Sequence, residues 1–275
     1  MLAFAVLVAG CSLEDAPVIG KPAATMDGHT ISMSDYRQRL KVEQDLYKKT
    51  KTAAEEEDVA IRSLVDEVLI DDEAGRKGFA VSDDEVNKEI DVQRATYQRL
   101  STLQRAQHPE LPAPPDFNTF LRKEGYDVDR LRESVRHILL EQKVEHKQAQ
   151  NRADTAYREI QGGATILDTA KKYGDGPAEQ TVLNSDLASG DAKLRPTLNT
   201  LQPGDTSKVV EGLNGFYIIK LLTRDDKGIT AQVVFVNAPA PEVYSPKLRP
   251  TWFQDFVKGL ENGAHVSYKV GTKAN

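Results

Sequence analysis

The stretch Leu201–Leu222, LQPGDTSKVVEGLNGFYIIKLL, limits the fold more than any other part of this 275-residue chain. Val209-Val210 and Phe216-Tyr217-Ile218-Ile219-Lys220 are runs of β-branched, aromatic and aliphatic residues, separated by Gly212-Leu213-Asn214-Gly215. Glycine supplies the positive φ that a tight reversal needs, so a β-hairpin is predicted here. Its residues either carry chemistry or only close a small sheet. Tyr217 is where the two readings part.

The surroundings are mostly helical. Ser34 reads as the N-cap of a helix to about Thr50. Ile61, Leu64, Val65, Val68 and Leu69 share one face of a helix over about 55–77, with Gly78 as its stop. Ser82-Asp83-Asp84-Glu85 is a capping-box pattern opening a helix to about Ala106. The prolines of 108–116 impose a loop. Phe117, Phe120 and Leu121 start a short helix, and a long one begins near Asp127, with a change of character expected at 150. Before all of these, Ala24–Ile31 is predicted to form two short strands around an Asp-Gly turn. Towards the end, Ile229–Val236 reads as a strand, Pro250 opens a last helix, and 265–270 is a final strand.

Composition excludes several functions. A net charge of −6, with basic and acidic residues interleaved, offers no stripe for nucleic acid. The single cysteine rules out an intramolecular disulfide and a thiolate metal site. The five histidines are scattered, and no metal or cofactor is expected. No P-loop, Rossmann glycine pattern or G-x-S-x-G elbow is present.

Residues 1–10 are apolar or small, too short a run to span a bilayer and suited to the h-region of a secretory signal. The run ends in Val8-Ala9-Gly10-Cys11-Ser12, which resembles the lipobox of bacterial lipoproteins. That resemblance implies acylation of Cys11, anchorage to the cell envelope facing the periplasm or extracytoplasmic space, and, with Ser12 following, the outer membrane if the source is Gram-negative. Residues 12–23, with two prolines and a glycine, read as a tether.

Two further resemblances follow from motifs in order. Leu64–Gly78, then Phe79-Ala80-Val81-Ser82-Asp83-Asp84-Glu85-Val86, then Phe120–Tyr126 before a long helix, resemble the N-terminal chaperone module of SurA-like and PrsA-like folding factors. The helix–Gly–helix–Tyr segment of 153–173 and "L-x-P-G-x-x-S-x-x-V-x-x-x-x-G-[YF]-x-I-I-K" resemble the parvulin (PpiC-type) prolyl isomerase domain. With its lipoprotein start and this domain order, the chain is similar to the EpsD group of such isomerases. The implied fold is α+β: a mostly helical SurA-N-like module over 24–149 plus 240–275, with a small parvulin-like α/β domain inserted at 150–239.

Parvulins pair two histidines, one from the first strand (H-I-L-V) and one from the last (G-Y-H-I-I-K). Tyr217 stands at the second. Arg136-His137-Ile138-Leu139-Leu140 spells the first, but it lies in the helical pattern 131, 135, 138, 139. The first strand is therefore missing from its usual place. Residues 231–236 could fill that position in the sheet, offering Gln232 or Val233 but no histidine. Leu194, Leu198 and Phe216 are the expected substrate-binding cup, and Tyr217 is the altered catalytic position. The resemblance implies unfolded or proline-containing client polypeptides as partners. Two functions stay open: a peptidyl-prolyl isomerase and chaperone, or a non-catalytic holdase or assembly factor for secretion or exopolysaccharide machinery.

Overall fold

In the computed structural model, residues 21–46, 51–123, 128–183, 191–238 and 249–271 are described. The expected signal segment with Cys11, the expected tether through residue 20 and residues 239–248 lie outside them. The chain divides into two compact units, Met1–Glu141 with Asp255–Asn275, and Gln142–Gln254.

The first unit begins with β1 (Ala24–Met26) and β2 (His29–Ile31), joined at Gly28, whose φ is +79°. β7 (Ser267–Tyr268) pairs antiparallel with the other edge of β1, so the order is β2-β1-β7. α1 (Met33–Leu46) and α2 (Ala53–Arg76) cover this sheet. Ile61, Leu64, Val65, Val68 and Leu69 join Ile31, Tyr36 and Tyr268 in one core. The predicted capping box is present at the start of α3 (Asp83–Gln107): Ser82 N–H donates to Glu85 Oε2 at 2.8 Å and Glu85 N–H to Ser82 Oγ at 3.2 Å. Val86, Ile90 and Tyr97 of α3 pack with Phe117 and Leu121 of α4 (Phe117–Lys123). Leu131 and Val135, from the first turns of α5 (Val128–Gln161), complete that second core.

A buried polar knot ties α1, α2 and α5. Arg39 donates to Ser63 Oγ at 3.0 Å and to Glu67 Oε1 at 2.5 Å. His137, 6% exposed, shares a proton with Asp71 Oδ1 at 2.9 Å through Nδ1, and its Nε2 lies 3.6 Å from Glu141 Oε2. Burial alone would lower the pKa of this imidazole. The bonds to Asp71 and Glu141 and the charge of Glu67 outweigh that and push it up to about 10. Arg136–Leu140 is helical throughout, so the H-I-L spelling is not the first strand of a sheet.

α5 runs unbroken to Gln161, through residue 150, where the residues change character. Within the second unit its face of Ala149, Ala153 and Ala156, with Ile166 and Ala170 of α6 (Ile166–Tyr173), covers one side of a four-stranded antiparallel sheet. The strands are β3 (Glu179–Leu183), β4 (Val210–Gly212), β5 (Gly215–Arg224) and β6 (Gly228–Asn237), ordered β3-β6-β5-β4. Residues 229–236 therefore sit inside the sheet, paired with β5 on one side and β3 on the other. β3 was not foreseen. The remaining helices among the described residues are α7 (Arg195–Thr200) and α8 (Thr251–Gly263).

Candidate functional site

The Pro-Gly-Asp-Thr-Ser run before the hairpin has a clear physical use. Gly204 turns the chain at φ +98° and donates its N–H to Leu221 O at 2.8 Å. Ser207, 5% exposed, donates its N–H to Ile219 O at 2.8 Å, and its Oγ accepts the Ile219 N–H at 2.9 Å. One serine thus satisfies both backbone groups of a buried strand residue, which a buried sheet segment requires. The run is stitched along β5 by these bonds and by Leu221 N–H to Asp205 O at 3.0 Å.

Side chains alternate across β5. Phe216 and Ile218 face α5 and α6, whereas Tyr217 and Ile219 face the other side with Leu201, Val233 and Leu198. This corrects the expected cup. Phe216 is 2% exposed, packed in the core beneath the His146 ring at 4.9 Å, on the opposite face from Tyr217 and Leu198. Leu198 and Tyr217 both pack against the other core cluster, with Leu201, Ile219 and Val233. Leu194 sits at the N-terminal boundary of α7, its N–H donating to Asp191 O at 3.1 Å.

The register decides what faces Tyr217. Its partner on β6 is Phe235, neither Gln232 nor Val233 as the sequence suggested; Gln232 pairs with Lys220 and Val233 with Ile219. The two rings stack with centroids 4.8 Å apart and planes 30° apart, a separation at which aromatic pairs contribute about 0.5–1.5 kcal/mol. Neither ring is fully buried. The row continues on both sides. At one end, a Cβ on Gly176 would lie 3.2 Å from Phe235 Cδ1. The preceding Asp175 holds that end, donating its N–H to Phe235 O at 2.7 Å and accepting from Asn237 N–H at 2.8 Å and Trp252 Nε1–H at 3.0 Å. Burial raises the Asp175 pKa, against those two bonds and the nearby Arg152.

At the other end, Val210 is the β4 partner of Tyr217, and Gly212 lies against the ring. A Cβ on Gly212 would stand 2.7 Å from Tyr217 Cε2 and would overlap Asp191 Oδ2. Asp191 Oδ2 accepts the Leu213 N–H at 2.6 Å and Oδ1 the Lys193 N–H at 2.9 Å, so its carboxylate clamps the hairpin turn beside the ring. Burial first, and the Asp191 charge second, raise the Tyr217 pKa, which keeps the phenol neutral. Its hydroxyl makes no hydrogen bond among the described residues. The result is a half-open apolar strip with a phenol and a carboxylate at one end.

Gly212→Ala should disturb this strip selectively. Clashes of this kind cost about 1–3 kcal/mol. The expected result is altered ring-current shifts for Tyr217 and Phe235 by NMR, with the resonances of β3 unmoved. Unchanged aromatic shifts would show that the turn yields without the ring.

Phe235, Asp191 and Gly212 were missed from the sequence. The first becomes visible only through the β5–β6 register, and the other two only through the turn they share. In the first unit, Tyr97, Phe120 and Pro112–Pro115 line a separate groove of about 390 Å³. The Tyr97 and Phe120 rings are 4.9 Å apart, and Tyr97 Oη donates to Pro115 O at 2.8 Å. Among the described residues no three His, Cys, Asp or Glu side chains converge as for a metal, and no helix is long and apolar enough to cross a membrane.

Two family models match the sequence. One, described as a SurA-like N-terminal domain, covers residues 1–145. The other, described as a PPIC-type PPIase domain, covers residues 132–230. No curated protein matches the chain. The second match starts inside α5 and ends at the beginning of β6, so Phe235 lies beyond it.

Proposed function

As the chain belongs to the SurA-like N-terminal domain family and its second unit matches a PPIC-type PPIase domain, we propose that it is an extracytoplasmic folding factor that holds proline-bearing client segments on the Tyr217–Phe235 strip without isomerising them. One observation carries the second half of this reading. Tyr217 stands where the parvulin resemblance calls for a histidine, and its partner on the neighbouring strand is Phe235, whose ring stacks on it at 4.8 Å. An isomerase must favour the twisted amide over both planar forms, against a barrier of about 18–20 kcal/mol. Stacked rings favour the flat, apolar face of a prolyl ring equally in both isomers. They bind, and binding alike in ground and transition states adds no rate.

The first unit would supply a second apolar surface of its own, the Tyr97–Phe120 groove. The inserted arrangement, a chaperone module interrupted by a parvulin-like domain, belongs to the same proposal. So do the lipid anchor at Cys11, the outer-membrane address and the likeness to the EpsD group.

A second reading keeps the isomerase, on the ground that the Tyr217 hydroxyl is neutral and has no partner among the described residues. It could then hydrogen-bond a twisted amide. The two readings separate in one experiment on the full chain. Rotation about a Leu–Pro bond in a short peptide is followed beside the aggregation of an unfolded client protein. The expected result is suppressed aggregation, with rotation remaining at its uncatalysed time of roughly tens of seconds. Acceleration that disappears in Tyr217→Phe would overturn the binding-only reading.

A further inference from the structure

Beyond clamping the hairpin turn, the Asp191 carboxylate adds a negative charge to an otherwise apolar strip. Its two oxygens accept one backbone N–H each, leaving one lone pair apiece for a donor from outside. Among the described residues no cationic side chain lies within ion-pair distance of it. The cation nearest in sequence, Lys193, sends its amine to Glu211 Oε1 at 3.2 Å. Asp191 is partly exposed, so the charge is reachable. It is also fixed in place, because the glycine at 212 lets carboxylate and ring crowd the same spot. A cation drawn to Asp191 therefore also lies beside the Tyr217 ring, where a second attraction is available. The chain's net charge of −6 works in the same direction at longer range.

Resting on the client-binding reading of the strip, we propose that Asp191 makes it selective for proline segments that carry a lysine or arginine next to the proline. The prolyl ring lies on Tyr217 and Phe235, and the neighbouring basic side chain reaches back to the carboxylate. An extended chain rises about 3.3 Å per residue, so the flanking side chain easily spans the width of one strand. The specificity belongs to a carboxylate on the strip's rim rather than to the rings, which accept any proline.

The test compares three labelled peptides, with Lys, Leu or Glu flanking one proline, binding to the full chain by fluorescence anisotropy. An exposed charge pair reinforced by an aromatic ring is worth roughly a fivefold preference. Lys-Pro should therefore bind about fivefold tighter than Leu-Pro, with Glu-Pro weakest, and high salt should erase the difference. In Asp191→Asn the Lys-to-Leu ratio should fall to one. The salt titration on the unaltered chain decides the matter even if that substitution disturbs the turn. Equal binding of Lys-Pro and Leu-Pro overturns the selectivity and leaves the client-binding reading standing. A preference that survives both salt and Asp191→Asn also overturns it. No binding of any peptide overturns the strip itself, and this proposal with it.

Discussion

His137→Leu is expected to lower the stability of the first unit by about 3–5 kcal/mol, the usual cost of removing one partner from a buried charge cluster. The imidazole is 6% exposed, with Asp71, Glu141 and Glu67 around it, so its loss leaves negative charge concentrated between α2 and α5. Leucine can fill much of the volume but cannot answer the carboxylates. The pH dependence gives an independent check. Because the folded pKa is raised, to about 10 from 6.5, the contribution is complete below the unfolded value. It declines as pH climbs from 6.5 towards 10, where the folded imidazole also loses its proton. Native-state hydrogen exchange of α2 amides and of α5 amides up to residue 141, at several pH values, reads this unit separately from the other. The unaltered protein should weaken across that window, and His137→Leu should be flatter. A variant within about 0.5 kcal/mol of the parent, the range of ordinary surface changes, would show that the cluster is solvated or compensated in a way this geometry does not reveal.

Gly215→Val should be nearly as damaging, and for a backbone reason. Gly215 has a φ of +142°, and a Cβ there would run into the carbonyl oxygen of Val236 and stand 2.7 Å from the Ala238 nitrogen. Both belong to the main chain at the end of β6, which cannot swing aside as a side chain can. Strain at such a φ costs about 1–3 kcal/mol, and forced overpacking a similar amount. The expected loss is about 2–5 kcal/mol in the second unit. Protection from exchange should fall first at the 215–218 end of β5 and at its partners on β6. Uniform loss over both units, or none, would contradict a local wedge. The same damage should separate the Tyr217 and Phe235 rings, since they lie two residues from the wedge on each strand.

How much of this was legible in the sequence depended on whether the cause was local. The helices α2 and α3 declare themselves by apolar spacing and by a capping box whose atoms are all within four residues. The hairpin declares itself by its two glycines. α5 was harder to delimit, because Ala149, Ala153 and Ala156 carry its apolar face past the change in composition. No helix breaker appears before Gly162 and Gly163. β3 is a strand because β6 makes it one: Glu-Gln-Thr-Val-Leu has little pattern of its own, and its five residues pair one by one with 228–232. The site divides in the same way. Motif and apolarity singled out Tyr217 and Leu198, which pack against the same core cluster. Phe216 was assigned to the wrong face, although strict alternation separates any residue from its neighbour. Phe235 depends on a register set by distant strands, which no local signal carries.

The pairing of β7 with β1 ties the last described strand to the first. A growing chain emerges from its N-terminus, so β1 and β2 are made while the strand that covers the open edge of β1 is still untranslated. The second unit draws on one continuous stretch and can finish in the meantime. Until synthesis reaches residue 267, the first sheet shows an unpaired edge of the kind that invites other strands. Any chain cut short before residue 267 keeps that edge open, whatever else has folded. Completion of the small sheet therefore waits on residues made more than 230 positions after the strand they cover.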